Sequence, residues 1–382
     1  MTTRRDTLKL LGAAAGAMLA APAPAADTGT ALKDLARIKG MRFGNAMGMP
    51  PQGAAHKVFQ DPAYRQLMAR ECNMIVAENE TKWQALAPQP GPYRFAAADE
   101  MFAWARKEGM LVRGHTLVWQ APKWLPAWVN ELDLAGKPVS HAEGILREHI
   151  KTVCGHFGKD VISYDVVNEA VTPADGSLVQ NVFSQRMGGL EQIDLAFRLA
   201  REYAPHAQLV YNDYMGPALD NAAHRKGVLK LLADLKARGA PVDALGLQSH
   251  VGIKDAMSGS EGKAVERAWR DFLDEVTGMG YELLITEFDV NDRGLPADVA
   301  KRDGATAALA RDYLDLTLSY PTCRDFLLWG MADHLNWLQY WAEAKRPDGL
   351  PQRPAPYDAQ LRAKPMREAI AASLRGMPVR RA

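Results

Sequence analysis

Residues 161–171 read VISYDVVNEAV and decide the fold. The β-branched and apolar residues of this run predict a buried strand. A parallel strand covered on both faces reads as a nearly continuous apolar run of this kind. The run ends in Asn168 and Glu169, and a carboxyl group there is costly to bury unless it is paired or hydrogen-bonded. Residues 283–290 (LLITEFDV) repeat the pattern with Glu287. The two carboxyl groups are the centre of the predicted site.

Short apolar runs alternate with amphipathic runs of helical spacing along the rest of the chain. The predicted strands are 42–47, 74–78, 111–119, 161–168, 208–213, 244–250, 283–290 and 326–331. The predicted helices are 63–72, 97–108, 141–157, 190–204, 222–237, 263–277, 298–319 and 364–374. Strict alternation implies parallel strands, and eight such units predict an α/β fold with a single (β/α)8 TIM barrel over residues 26–382. A doubly wound open sheet is the alternative, but residues 44–48 lack its glycine-rich phosphate loop.

The composition is that of a soluble globular protein, with 47% hydrophobic and 24% charged residues. The net charge is +1 and no block of basic residues stands out, which argues against nucleic acid as a partner. We expect a monomer. Residues 380 and 381 form a basic end that is expected to fray. The cysteines Cys72, Cys154 and Cys323 fit no metal-ligand spacing and are expected to be buried free thiols.

Residues 1–25 have the pattern of a cleaved bacterial export signal. Arg4 and Arg5 form a pair of the twin-arginine type, residues 10–21 are apolar, and residues 23–25 (APA) offer a cleavage site. The mature protein is then periplasmic or secreted, with no membrane contact after cleavage. A membrane anchor is the alternative reading, but the apolar run is short of the roughly 20 residues that span a bilayer.

Polar or aromatic residues follow nearly every predicted strand, which core packing does not require. They are Glu78, Asn79, Lys82, Trp83, His115, Trp119, Asn168, Glu169, Asn212, Asp213, Tyr214, Gln248, His250, Glu287, Asp289, Trp329, Asp333 and Trp337. The carboxyl ends of barrel strands share one face, and the long connections 120–140, 171–189 and 332–363 belong to it. Taken singly, His115 and Trp329 would be core residues and Lys82 a solvated one.

This set of residues suits glycoside hydrolysis. That reaction needs a carboxylic acid to protonate the leaving oxygen and a carboxylate on the other side of the sugar. Amides, histidine and lysine can hold the hydroxyl groups, and flat aromatic rings can stack on sugar faces. Zinc chemistry with His115, His250 and Glu169 is a weaker fit because no HxH or HExxH spacing is present. Acyl transfer lacks a G-x-S-x-G turn. We expect neither a metal nor a cofactor.

Seven fragments together resemble the signature blocks of the family 10 glycoside hydrolases, the endo-β-1,4-xylanases. They are AENETKW (77–83), RGHTLVW (113–119), DVVNEA (165–170), YNDY (211–214), GLQSH (246–250), ITEFDV (285–290) and WGMADHLNW (329–337). They occur in the family's order and cover the chain from about residue 41 to residue 370.

The resemblance implies a role for each matching residue in the retaining hydrolysis of xylan and xylo-oligosaccharides. Glu169 would be the acid/base and Glu287 the nucleophile. His250 would hydrogen-bond Glu287, with Asp289 orienting the imidazole. The implied sugar contacts are Glu78, Asn79 and Lys82 on the non-reducing side, Asn168 at the 2-hydroxyl, His115, Trp119, Trp329 and Trp337 around the reacting sugar, Gln248 near the nucleophile, and Tyr214 on the leaving-group side.

The chain departs from the family pattern at two positions. It reads Gln120-Ala121-Pro122 where many members have His-x-Gln, and this predicts that one amide is missing at a distal sugar position. The second departure is Tyr164 before Asp165, where many members have Trp. Two alternatives stay open at this point. One is a retaining barrel glycosidase acting on β-1,4-glucan or mannan, and the other is an exported glycan-binding protein without turnover.

Overall fold

Eight parallel strands close on themselves in the computed structural model, which describes residues 29–49 and 58–380. The predicted leader therefore lies outside the described residues. The strands are β1 (Arg42–Met47), β2 (Met74–Ala77), β3 (Leu111–Trp119), β4 (Val161–Asn168), β5 (Gln208–Asp213), β6 (Ala244–Leu247), β7 (His250–Val251), β8 (Glu282–Val290) and β9 (Cys323–Leu328). The two-residue β7 pairs in parallel with the last two residues of β8 and is not one of the eight barrel strands. The other eight pair in sequence, and β1 pairs with β9 to close the ring. The predicted (β/α)8 barrel is confirmed.

Helices connect successive strands around the barrel. They are α1 (Leu32–Ile38), α2 (Pro62–Glu71), α3 (Trp83–Leu86), α4 (Ala96–Lys107), α5 (Ala127–Asn130), α6 (Val139–Phe157), α7 (Val182–Met187), α8 (Gly189–Tyr203), α9 (Ala222–Ala237), α10 (Gly262–Gly278), α11 (Val299–Thr317) and α12 (Pro365–Gly376). All eight predicted helices are present within one or two residues at each end. The short helices α1, α3, α5 and α7 were not predicted. No described helix has both the length and the apolar character needed to cross a membrane.

Two predicted strands were wrong in their bounds, for local backbone reasons. The run 244–250 breaks after Leu247 because Ser249 turns the chain with a φ of 63°. The run 326–331 is displaced to Cys323–Leu328 because the chain leaves the sheet at Gly330, whose φ is 122°. After Leu328 the sequence stays apolar through Met331, so hydrophobicity alone misplaces the end of that strand. After Leu247 the sequence turns polar, and the predicted strand was carried too far.

Apolar side chains bury both faces of the strands. The main core lies between the strands and the helices. Smaller apolar clusters are separate from it. One of them consists of the strand residues Val210, Ala244 and Leu284. Strands buried on both faces explain the continuous apolar runs of the sequence. A buried ion pair joins Arg113 of β3 to Asp165 of β4 at 2.5 Å. The three cysteines are buried and free, as predicted.

The expectation that the chain end frays was wrong for Arg380. This residue is only 4% exposed, and its backbone N–H donates to the Lys39 carbonyl at 2.7 Å. Its guanidinium donates to the carbonyls of Leu318 and Cys323. A basic residue near a terminus looks solvated in the sequence, but here it is buried and donates to backbone carbonyls of the barrel.

Candidate active site

A cleft of about 540 Å³ opens at the carboxyl ends of the strands. Its lining residues are Glu78, Asn79, Lys82, Gln84, His115, Trp119, Lys123, Trp124, Glu169, Tyr214, Gln248, His250, Glu287, Trp329, Trp337 and Trp341. Of the residues to which the resemblance assigns a role, Asn168 and Asp289 do not line it and are buried. The other strand-end candidates outside the lining are also buried: Trp83, Asn212, Asp213 and Asp333. A larger cavity of about 1050 Å³ lies at the amino ends of the strands, but neither Glu169 nor Glu287 lines it. The cleft is therefore the place where the predicted chemistry can occur.

Glu169 leaves β4 in a left-handed backbone conformation, with a φ of 56°. Its N–H donates to the Asn212 carbonyl at 2.9 Å, which fixes this turn against β5. Trp119 Nε1 and Gln248 Nε2 each donate to one carboxyl oxygen at 2.9 Å. Burial, together with the negative charges of Asp213 and Glu287, raises the pKa of Glu169 above its ordinary value, against the effect of the two hydrogen bonds. The group is suited to hold a proton.

Glu287 projects from β8 and is 5% exposed. Asn212 Nδ2 donates to its Oε1 at 2.7 Å, and His250 Nε2 lies 3.4 Å from its Oε2. Burial acts to raise the pKa of this carboxyl, but the hydrogen bond from His250 and the positive charges of His115 and His250 outweigh it. The pKa of Glu287 consequently lies below its ordinary value, and the group is held as a carboxylate.

His250 is held between two carboxylates. Its Nδ1 lies 3.0 Å from Asp289 Oδ1, and Asp289 in turn accepts from Trp337 Nε1 at 2.7 Å. Burial lowers the pKa of the imidazole, but Asp289 and Glu287 together raise it to about 10. A cationic His250 follows at neutral pH, and it is this charge that stabilises the ionised Glu287.

Asn168 offers an unused donor at the floor of the cleft. Its Oδ1 accepts from Asn212 Nδ2 at 2.9 Å, while its buried Nδ2 has no partner among the described residues. A buried N–H without an acceptor costs about 1–3 kcal/mol. Such a donor is suited to a polar group of a bound ligand.

His115 belongs to a buried chain of polar contacts that leads from Arg113 through Asp165 to Glu287. Its Nδ1 lies 2.8 Å from Asp165 Oδ2 and 4.0 Å from Glu287 Oε1. Asp165 also accepts from Arg113, which is itself buried. His115 is buried and hydrogen-bonded, as the alternative of a core histidine requires, and its side chain also lines the cleft.

Glu78, Asn79 and Lys82 form one polar cluster beside the two central glutamates. Lys82 is only 7% exposed, so the reading of it as a solvated lysine is wrong. Its ammonium donates to Asn79 Oδ1 at 2.9 Å and lies 4.7 Å from the Trp119 ring centre. Burial lowers the pKa of Lys82, and burial raises the pKa of Glu78 to about 7 even though Lys82 opposes the rise. Glu78 is therefore close to half ionised at neutral pH.

Aromatic rings wall the cleft. Trp329 and Trp119 each make an edge contact with His115, at centre distances of 5.2 and 6.3 Å. Trp337 lies 5.0 Å from the His250 ring. Tyr214, after β5, is 41% exposed and presents its ring at the cleft. Indole faces around paired carboxyl groups can pack against the apolar faces of sugar rings.

Several residues of the site were not predicted to have a role. Asn212 bridges Asn168 and Glu287, yet the sequence shows only a polar residue at the end of a strand. Lys123, Trp124 and Trp341 line the cleft from long connections, where no periodic pattern exists to reveal direction. The sequence signal for Trp124 and Trp341 was their position as aromatic residues in long connections next to the predicted catalytic face.

The segment 120–122 does not replace the missing amide. Gln120 is fully buried, and its side chain exchanges hydrogen bonds with Gln192 at 3.0 and 3.1 Å. Pro122 is exposed at the start of a 3-10 turn, and its carbonyl accepts from Asn130. The cleft wall is continued by Lys123 and Trp124.

Comparisons with known proteins point to one family. Residues 31–373 match the model of glycosyl hydrolase family 10. The chain is 33% identical over 298 residues to a β-1,4-xylanase of Dictyoglomus thermophilum, covering 75% of this chain and 78% of the relative. It is 32% identical over 279 residues to endo-1,4-β-xylanase B of Thermotoga neapolitana, with 72% and 74% covered.

Solved structures of the same kind superpose over most of the chain. Xylanase 10B of Thermotoga petrophila in complex with xylobiose gives a TM-score of 0.78 at 28% identity, covering 91% of this chain and 97% of the other. Native xylanase 10B of Thermotoga maritima gives 0.77 at 28% identity, with 90% and 98% covered.

Proposed function

The chain belongs to glycosyl hydrolase family 10, and from this premise we propose that Glu169 and Glu287 carry out the hydrolysis of β-1,4 linkages within xylan. The activity is that of an endo-1,4-β-xylanase, the function that the relatives' names carry. The observation that carries the assignment is the pair of buried glutamates in one cleft whose pKa values are displaced in opposite directions. Such a pair provides one acid and one carboxylate at the same pH.

Glu169 acts as the acid in the first step. Its raised pKa keeps the proton that it passes to the glycosidic oxygen as the bond to the leaving sugar breaks. Trp119 and Gln248 hold both of its oxygens, so the carboxyl has a fixed direction. After the leaving sugar departs, the carboxylate accepts a proton from water, as microscopic reversibility requires.

Glu287 acts as the nucleophile. Its ionised oxygen attacks the anomeric carbon and forms a covalent glycosyl-enzyme, which water then hydrolyses with overall retention. His250 and Asn212 hydrogen-bond the two oxygens of Glu287 and keep them in position. His250 is oriented by Asp289, and Asp289 by Trp337.

The remaining cleft residues bind the sugars. The free Nδ2 of Asn168 is the donor to the 2-hydroxyl of the reacting sugar. Glu78, Asn79 and Lys82 bind the sugars on the non-reducing side, and Tyr214 lies on the leaving-group side. His115, Trp119, Trp329 and Trp337 enclose the reacting sugar. Xylan and xylo-oligosaccharides are the substrates, in keeping with the solved relatives that hold xylobiose and xylotetraose.

Trapping of the covalent intermediate tests the nucleophile. An activated 2-deoxy-2-fluoro-xylobioside slows breakdown of the glycosyl-enzyme, so the adduct accumulates and its peptide can be identified by mass spectrometry. We expect the label on Glu287. Glu287→Gln should take up no label, whereas Glu368→Gln, a change at an exposed helix position, should label like the wild type. A label on another residue would refute the assignment.

Two assays test the rest of the proposal. Glu169→Ala should hydrolyse aryl xylobiosides with good leaving groups faster when azide is added, because azide replaces the missing base catalysis. Release of reducing sugar from xylan, cellulose and mannan should be measured side by side. Turnover of cellulose or mannan at the rate of xylan would contradict xylan as the substrate.

Export and a monomeric state complete the proposal. Residues 1–25 support export through the arginine pair, the apolar run and the APA site, and the mature enzyme is then periplasmic or secreted. Cell fractionation with N-terminal sequencing of the mature protein tests this. An intact N-terminus in the cytoplasmic fraction would contradict it. Light scattering of the purified enzyme tests the monomeric state.

A further inference from the structure

Two loops on different sides of the cleft meet around a lysine. Lys123 and Trp124 lie in the 3-10 turn after β3, and Trp341 follows β9. The Lys123 ammonium lies 5.0 Å from the Trp124 ring centre and 5.6 Å from the Trp341 ring centre. The two indole rings are themselves 6.2 Å apart, tilted by 36°. At these distances a cation is attracted to the faces of both rings.

This lysine is a cation without an anionic partner. Among residues 29–49 and 58–380, no carboxylate forms an ion pair with its ammonium, and the side chain is exposed. Lys82 in the same cleft is different, since it is buried, bonded to Asn79 and surrounded by Glu78, Glu169 and Glu287. The attraction of the two rings limits where the Lys123 ammonium can go, so the charge is held at the mouth of the cleft.

The position of this cation relative to the substrate follows from the ring contacts. Trp124 stacks on Trp119 with centres 4.6 Å apart, and Trp341 lies 5.7 Å from Trp337. Trp119 donates to Glu169 and Trp337 to Asp289, so both rings border the reacting centre. A sugar chain bound at the two glutamates therefore passes within reach of Lys123, with any side group that points outward nearest to it.

We propose that Lys123, with Trp124 and Trp341, forms a binding site for the carboxylate of a uronic acid side group on the xylan backbone. The proposal rests on the proposed xylanase function and names the decorated form of its substrate. The xylan backbone is neutral and gives an exposed ammonium no charged partner, whereas a uronate supplies one. The partly buried rings of Trp124 and Trp341 line the cleft beside the ammonium and hold it where a side group of the bound chain would meet it.

The test compares one polymer with and without its charge. Glucuronoxylan and the same polymer after chemical reduction of its carboxyl groups to alcohols are hydrolysed by the wild type, Lys123→Gln and Lys123→Arg. The quantity compared is the ratio of kcat/KM on the acidic polymer to kcat/KM on the reduced polymer. We expect Lys123→Gln to lower this ratio about two- to fivefold, the range of a solvent-exposed ion pair, and Lys123→Arg to keep it.

Salt and a distant lysine provide the controls. In 0.5 M NaCl the ratio of the wild type should fall toward that of Lys123→Gln, because exposed charges are screened. Lys159→Gln removes an exposed lysine just before β4, at the other end of the barrel, and should leave the ratio unchanged. An unchanged ratio in Lys123→Gln would overturn the proposal. Absence of hydrolysis of both polymers by the wild type would instead refute the xylanase function.

Discussion

Glu287 and His250 form the charge pair that most directly controls the chemistry at the level of single residues. The carboxylate has a pKa below its ordinary value because the imidazolium is adjacent, and the imidazole has a pKa of about 10 because Glu287 and Asp289 are adjacent. The two pKa values move in opposite directions, and each shift favours the charged form of its group. Both groups are therefore charged from mildly acidic pH up to about pH 10, and activity at acidic pH ends where Glu287 takes up a proton.

Replacing His250 by glutamine should move the acidic limb of the pH–activity profile to higher pH. Without the His250 cation and its hydrogen bond, burial is opposed less strongly, so the pKa of Glu287 rises. The nucleophile is then protonated at a pH where the wild-type group is still charged. The measurement is kcat/KM on an aryl xylobioside from pH 3 to pH 9. His156→Gln is a suitable control, because His156 pairs with Asp99 away from the cleft. An acidic limb that does not move would show that His250 does not set the charge of Glu287.

Glu78 should make the binding of oligosaccharides pH-dependent near neutrality. Its pKa of about 7 means that the carboxylate forms as the pH rises from 6 to 8, and a carboxylate is the stronger acceptor for sugar hydroxyl groups. In the Glu169→Ala background, we expect the Kd of xylohexaose to tighten about threefold over this range, the size of a modest gain in one hydrogen bond. Calorimetry at a series of pH values measures it.

The same titration in Glu78→Gln should be flat between pH 6 and pH 8. Lys82 also has a displaced pKa, but loss of its proton would weaken binding as the pH rises, which is the opposite direction. A Glu78→Gln variant whose Kd still tightens with pH would assign the effect to another group.

At the scale of secondary structure, the order of strands and helices was predictable, whereas two strand ends and the contacts between strands were not. β1, β3, β4 and β5 were predicted to the residue. The placement of Glu169 and Glu287 on one face followed from parallel strands alone. The bridge from Asn212 to Glu287 depends on the register of β5, β6 and β8, which a single sequence does not encode in its pattern.

The loops were the least predictable elements. Trp124 and Trp341 meet although more than 200 positions separate them, because the connections after β3 and β9 fold toward each other over the cleft. Neither loop has a hydrophobic period that could indicate the direction of its side chains. The sequence also does not indicate the direction of the Gln120 side chain. It faces Gln192 of α8 in a buried contact and not the cleft.

Gln120 should be needed to hold the loops after β3 and β4 together. Its side chain bonds Gln192 in both directions and donates to the Val179 carbonyl, and all of these groups are buried or partly buried. Gln120→Ala leaves several polar groups without partners, at a cost of about 2–3 kcal/mol in the free energy of unfolding. The midpoint temperature of thermal unfolding should therefore fall. The value of kcat should fall as well, because Trp119 is the preceding residue and positions Glu169.

Changing both Gln120 and Gln192 to methionine separates the contribution of their hydrogen bonds from that of side-chain packing. Replacing both partners by apolar groups of similar size leaves fewer unpaired atoms, so the double variant should regain part of the stability lost by Gln120→Ala. Gln180→Ala, at an exposed neighbouring position, should be close to neutral. A Gln120→Ala protein as stable as the wild type would show that the exchange of hydrogen bonds contributes nothing.

For the whole molecule, the closure between β1 and β9 joins the two ends of the chain. These strands pair over four residues from Arg42 opposite Asp325 to Asn45 opposite Leu328. Every other pair of neighbours in the ring is close in sequence, so this seam brings together the most distant segments and has the largest loop-closure entropy to overcome. Interactions at the seam therefore affect the stability of the complete barrel.

Arg380 is the residue whose loss should open this seam. Its backbone bonds Lys39 just before β1, and its guanidinium bonds Cys323 at the start of β9 and Leu318 after α11. Arg380→Ala removes the guanidinium hydrogen bonds to these two carbonyls. We expect a loss of about 2–4 kcal/mol in the free energy of unfolding, since hydrogen bonds from charged groups are the stronger ones. Arg375→Ala is the matched control, because within residues 29–49 and 58–380 the ion pair of Arg375 is with exposed Glu368, so its loss should cost little. Urea unfolding of the two variants, followed by tryptophan fluorescence, measures the difference. Equal midpoints would mean that the seam is held by strand pairing alone and that the chain end, although buried, does not stabilise the barrel.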